Sequence, residues 1–100
     1  MNIFDLKQIP MSEEELTDIL VKNDKVRIER ILSAGQVTDW YDQDETEFAI
    51  LLEGSAVIEY ENGATVEMRR GDTLKLSPHK KHRVSYTSSN PPCVWLCIFY

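Results

Sequence analysis

Two stretches of the chain gather side chains that could do chemistry. Between Gly35 and Gly54 lies Trp40-Tyr41-Asp42-Gln43-Asp44-Glu45-Thr46-Glu47, which carries several carboxylates, a phenol and an amide. Eleven positions after Gly71 comes His82, behind Lys80 and Lys81. A carboxylate and an imidazole are both well suited to moving protons near neutrality. A carboxylate inside an apolar barrel has its pKa raised, which suits that work. Taken singly, each has a plainer reading. A Glu at a strand start is most often solvated, and a His after two lysines most often sits in a loop. Asp42 and Asp44 face away from Tyr41 and Gln43 if the segment is extended. His79, three positions before His82, reads as a loop residue, with a role as second ligand left open.

The elements that must hold these groups are mostly strands. Lys25 to Ser33 alternates, with Val26, Ile28 and Arg30 on one side. Phe48 to Leu52 is a continuous apolar run of strand length, ended by Gly54. Ala56 to Tyr60, Thr65 to Met68, Thr73 to Leu76, Arg83 to Thr87 and Val94 to Tyr100 are further strands. Asn62-Gly63 reads as a tight hairpin turn with both central residues at positive φ. Ser88-Ser-Asn-Pro-Pro92 reads as a loop, because prolines cannot donate to a ladder. Short strands at regular spacing, with turn residues between them, predict a sandwich or barrel. The exception comes early. Ser12-Glu-Glu-Glu15 has the form of a capping box, and Leu16, Ile19 and Leu20 follow at helical spacing. One short helix is therefore predicted over residues 12 to 22, packed outside the barrel.

Composition narrows the function. One hundred residues fit one domain, 1–100, with a helical extension to about residue 24 and a barrel from about 25. The net charge of −6 and the lack of a basic patch argue against nucleic acid and anionic membrane as partners. Lys80, Lys81 and Arg83, with Arg69 and Arg70, read as a solvated face. The start of the chain shows no leader-like apolar run, and no stretch reaches the roughly 20 apolar residues of a membrane helix. Cys93 and Cys97 share one strand, about 13 Å apart at roughly 3.3 Å per residue, too far for a disulfide. Two free thiols make the cytoplasm the expected compartment.

The glycine-spaced frame resembles the two-part signature of the cupin superfamily, G-x5-H-x-H-x3-E-x6-G followed by G-x5-P-x-G-x2-H-x3-N. Gly35, Glu47 and Gly54 fall in register with its first part, and Gly71 and His82 with its second. The resemblance covers about residues 30 to 100. It implies an all-β double-stranded β-helix, a jelly-roll barrel, with the short N-terminal helix outside it. In cupins two histidines and a glutamate of the first part and a histidine of the second usually hold a metal. Here those positions are Tyr41, Gln43, Glu47 and His82. Ser77 stands at the proline position, with Pro78 one step late; His79 stands at the glycine and Tyr86 at the asparagine. The run Trp40-Tyr-Asp-Gln-Asp-Glu also resembles a subgroup of short cupins that lack the His-x-His pair.

The implied site has one of two contents, or is a pocket with no ligand of its own. One is a weakly held divalent metal (manganese, iron, nickel or zinc) on Glu47 and His82, with Gln43 and Tyr41 as poorer oxygen ligands. The other is a metal-free pocket for a small polar molecule. Trp40, Tyr41, Gln43 and Tyr86 are the expected ligand-binding residues, and Glu47 and His82 the expected catalytic ones. Trp95 either lines the pocket or fills the core. Loss of two imidazoles suits isomerisation or plain binding better than oxygen chemistry. A non-enzymatic sensor or binding module is the alternative. The apolar strand Val94 to Tyr100 and the small core point to a homodimer.

Overall fold

The computed structural model describes residues 1–10 and 14–100. Eight strands follow in order: β1 (Leu16–Lys22), β2 (Arg27–Ser33), β3 (Glu47–Glu53), β4 (Ser55–Tyr60), β5 (Thr65–Arg69), β6 (Thr73–Leu76), β7 (His82–Thr87) and β8 (Cys93–Phe99). They form a five-stranded sheet, β1-β2-β8-β3-β6, and a three-stranded sheet, β5-β4-β7. Every neighbouring pair is antiparallel. Among the described residues there is no helix, so none that could cross a membrane.

The two sheets close on a shared core. Ala49, Leu51, Trp95, Cys97 and Phe99 come from the large sheet, and Ala56, Ile58 and Met68 from the small one. In β3 the inward set is Glu47, Ala49 and Leu51, as alternation requires, with Phe48 and Ile50 half-buried on the other face. Gly54 makes the corner where the chain passes from one sheet to the other. Its φ is +91°, and a Cβ there would lie 2.9 Å from Cys93 Cα, Cys93 Sγ and Ser88 Oγ. Only glycine meets both conditions. The Asn62-Gly63 turn is present, but only Gly63 has positive φ. Gly63 N–H donates to Tyr60 O and Tyr60 N–H to Ala64 O, a three-residue loop closed by a glycine bulge rather than a two-residue turn.

The predicted N-terminal helix is corrected. Ser12 lies outside the described residues, but residues 16 to 22, expected as helix, form β1. The edge of β2 offers an open row of backbone groups, and six residue pairs from Leu16↔Leu32 to Lys22↔Arg27 satisfy it. Thr17, Ile19 and Val21 are β-branched and accept the extended form readily. Ladder bonds to a neighbour outweigh a local capping motif, because a short isolated helix is marginal in water.

The alternation expected in β2 is present. Arg27, Glu29 and Ile31 face the interior space, and Ile28 and Arg30 lie on the opposite face. Arg30 is buried there at 7% exposure. Its guanidinium meets Asp18 Oδ2 at 2.6 Å and donates to the carbonyls of Ile3 and Asp5. The N-terminal segment thus covers part of the outer face. Cys93 and Cys97 are both free and buried.

Candidate functional site

A cavity of about 210 Å³ opens between the sheets. Its walls are mostly apolar: Ile31, Ala49, Ile58, Leu74, Leu76, Val84, Trp95 and Phe99. Into this space converge Tyr41, Gln43, Glu47 and His82, four of the residues singled out from sequence.

Glu47 opens β3, where it pairs with Leu76 on one side and Phe99 on the other, and is 9% exposed. His82 opens β7 opposite Tyr60 of β4 and is 3% exposed. An isolated bridge ties it to Tyr41: Tyr41 N–H donates to His82 O at 2.7 Å, and His82 N–H to Tyr41 O at 3.2 Å. That bridge sets the Tyr41 and His82 rings 5.5 Å apart. His82 Nδ1 lies 2.8 Å from Lys80 O. A carbonyl only accepts, so Nδ1 carries the hydrogen. The other nitrogen, Nε2, lies 3.7 Å from Glu47 Oε1. Gln43 Nε2 donates to the same Oε1 at 3.1 Å.

Two further carboxylates stand in the cavity. Glu15, just before β1, accepts a hydrogen bond from Ser33 Oγ at 2.9 Å. Burial pushes its carboxyl above the ordinary range; the Ser33 hydroxyl opposes this, and Glu47 and Glu29 add to it. Glu29 of β2 is paired with Arg27 Nε at 2.6 Å. Arg27 also holds Glu45 through both terminal nitrogens, at 3.0 and 3.1 Å, and lies 4.2 Å over the Phe99 ring. The Tyr41 phenol is pushed up to about 12 by burial and by Glu15 and Glu47. Cys97 lines the cavity too; burial and Glu47 hold its thiol protonated.

Three expected or open assignments fall elsewhere. Tyr86 is 50% exposed. A bulge in β7 explains it: Val84 faces Ile58, but Tyr86 faces Val57, so Ser85 is passed over and alternation reverses. Trp40 is 49% exposed and lies under Arg83, 5.3 Å away. His79 turns outward, its Nδ1 2.7 Å from Asp42 Oδ1 and its Nε2 3.3 Å from Asp44 Oδ1. Trp95, left open between pocket and core, does both. It is 4% exposed and lines the cavity, and its Nε1–H is the one buried side-chain polar atom without a partner among the described residues.

Sequence reasoning missed Glu15, Arg27 and Glu29. Glu15 reads from sequence as part of a helix cap, and the alternation of β2 does not say which of its faces turns inward. The alternation of Arg27 and Glu29 was visible, but only a barrel with a polar cavity turns that face inward.

A family model described as Cupin domain matches residues 28–99. The chain belongs to the cupin family. The two-sheet architecture of this cupin is that of the jelly-roll barrel. A crystal structure from Ralstonia eutropha JMP134, provisionally named a mannose-6-phosphate isomerase, superposes with a TM-score of 0.90 at 35% identity, covering 99% of this chain and 94% of its own. A cupin superfamily protein from Desulfitobacterium hafniense DCB-2 has a TM-score of 0.76 at 21% identity, over 86% and 76% of the two chains. An RmlC-like cupin from Shewanella frigidimarina NCIMB 400 also reaches 0.76, at 14% identity, over 91% and 79%. The last two bear on fold alone. No curated protein matches the chain.

The donor set of this cupin can be tested against the family's metal. Among the described residues no three of His, Cys, Asp and Glu cluster closely enough to hold an ion. Of the four positions of the family's ligand frame only Glu47 and His82 carry strong ligands, where tight first-row sites supply three or four. The Gln43 amide points its N–H at Glu47, and the Tyr41 phenol is held protonated. The residues do not fit a tightly held metal.

Proposed function

We propose that this cupin binds a small polar molecule in the cavity between its sheets, with Glu47 and His82 as the groups that exchange protons with it. One observation carries the reading: a carboxylate and an imidazole, both buried, meet at 3.7 Å on the wall of the cavity. Burying two ionisable groups is costly and gains nothing for the core, so such pairs cluster at functional sites. His82 Nδ1 is engaged by Lys80 O, which leaves Nε2 to take or give the proton. Gln43 and Tyr41 are the orienting groups for the bound molecule.

The Ralstonia relative's name favours a second, more specific reading. Isomerisation of a sugar moves a proton between neighbouring carbons, which a Glu–His pair can perform. The non-enzymatic binding module remains the alternative, and two variants separate them. If Glu47→Gln and His82→Ala abolish binding and no candidate is turned over, the protein is a binder. If turnover is lost while binding survives, it is an enzyme.

The proposal extends to setting and assembly. A reducing compartment, the cytoplasm, is the proposed setting, and the two free thiols support it. The half-buried row Ile28, Ile98 and Phe48 crosses the outer face of the large sheet and is the surface for a homodimer. A monomer by light scattering at micromolar concentration would sink the dimer.

A further inference from the structure

We infer that the cavity selects a small ammonium ion with a short apolar body and discriminates against phosphate esters. The inference rests on the proposal that the cavity binds a small molecule, and it names the class.

Charge is the first ground. The cavity wall carries Glu15, Glu29 and Glu47 against a single guanidinium, Arg27. That guanidinium is already held by Glu29 and by both oxygens of Glu45. The groove at the mouth shares Glu15 and Tyr41 with the cavity and adds Glu14 and Asp39; among the described residues it has no lysine or arginine. A cation entering by this route meets carboxylates at each stage, and low-dielectric walls sharpen the effect. A phosphate dianion meets the same groups as repulsion.

The second ground is independent of net charge. His82 is 3% exposed, and its Nδ1–H is given to Lys80 O. In the neutral ring Nε2 is therefore an acceptor on the cavity wall. It faces Glu47 Oε1, another acceptor, at 3.7 Å. Two acceptors turned toward one another call for a donor. An ammonium N–H reaching this point gives one hydrogen to Nε2 and another to Oε1, and both bonds are strengthened by charge. The cavity wall also carries the ring of Trp95 and the side chains of Ile31 and Leu74. An aromatic face suits a cation, and the aliphatic wall suits an apolar body.

The test uses 15N-labelled protein and reads the indole N–H of Trp95 in the cavity, with Trp40 on the surface as control. The probes are butylammonium and benzylammonium, their neutral matches butanol and benzyl alcohol, a panel of neutral sugars, and mannose 6-phosphate. The ammonium ions are expected to shift Trp95 at least tenfold more tightly than the matched alcohols, and mannose 6-phosphate not to shift it. Glu47→Gln is expected to weaken the ammonium ions about tenfold and leave the alcohols unchanged. Glu15→Gln, near the mouth, is expected to act in the same direction if the first variant folds poorly. Equal affinity for amine and alcohol, or tighter binding of the sugar or its phosphate, overturns the ammonium assignment while leaving the cavity as a binding site. If no probe moves Trp95, both the assignment and the binding proposal fall.

Discussion

Glu47 opens a strand of one sheet and His82 a strand of the other, and closure of the two sheets sets Oε1 of the first 3.7 Å from Nε2 of the second. Neither strand alone makes this pair. It exists only because β3 and β7 begin at the same end of the barrel and both first residues point inward.

Removal of the Glu47 charge should be felt at Glu15. Glu47 is among the groups that push the Glu15 carboxyl up. In Glu47→Gln the Glu15 carboxyl is expected to titrate lower than in the wild type. Carboxyl-selective 13C NMR across the acid range reads this. An unchanged Glu15 titration would show that the two carboxylates do not share the cavity.

The same carboxyl sets a dependence of stability on pH. Its folded pKa lies above the ordinary value of 4.5, so the folded protein binds the more protons between the two. The contribution to stability is therefore complete below 4.5 and is lost as pH rises through the folded value. At pH 7 the ionised Glu15 is a burden. Glu15→Gln is expected to raise the melting temperature at pH 7 by a few degrees, and the gain should shrink toward pH 4. A gain that grows on acidification would contradict the assignment.

Two glycines separate conformational strain from steric strain. Gly35 and Gly54 have φ of +95° and +91°, but an added Cβ meets nothing within 4 Å at Gly35 and three atoms at 2.9 Å at Gly54. Gly35→Ala is expected to cost about 1–2 kcal/mol, the left-handed penalty alone. Gly54→Ala should cost clearly more, by roughly another 1–3 kcal/mol of overpacking. Urea midpoints of the two variants decide it, and equal midpoints would refute the corner assigned to Gly54.

Metal content follows from the donor set. Protein purified without a tag or chelator is expected to carry well under one metal per chain by plasma mass spectrometry, even after incubation with manganese, iron, nickel and zinc. Near-stoichiometric metal that disappears in His82→Ala would overturn this and restore the family's metal to the cavity.

The sequence by itself determined a sandwich or barrel and seven of its eight strands, and its resemblance to cupins picked out Tyr41, Gln43, Glu47 and His82, which meet in the cavity. Those features are local: period-two alternation, turn residues, and glycines at fixed spacing from a carboxylate and an imidazole. The tertiary structure decided the rest. Residues 16 to 22 carry a helical spacing of leucines, yet the open edge of β2 drew them into a ladder. Tyr86 was expected at the pocket, and a bulge opposite Val57 and Ile58 turned it out. Arg27 and Glu29 alternate with Ile28 and Arg30, and only closure of the sheets turned their face to the cavity. Glu15 reached the site only because its segment became an extended approach to β1. Periodicity along a chain says which residues share a face. Which way that face turns depends on the neighbour across the barrel, and that neighbour is distant in sequence.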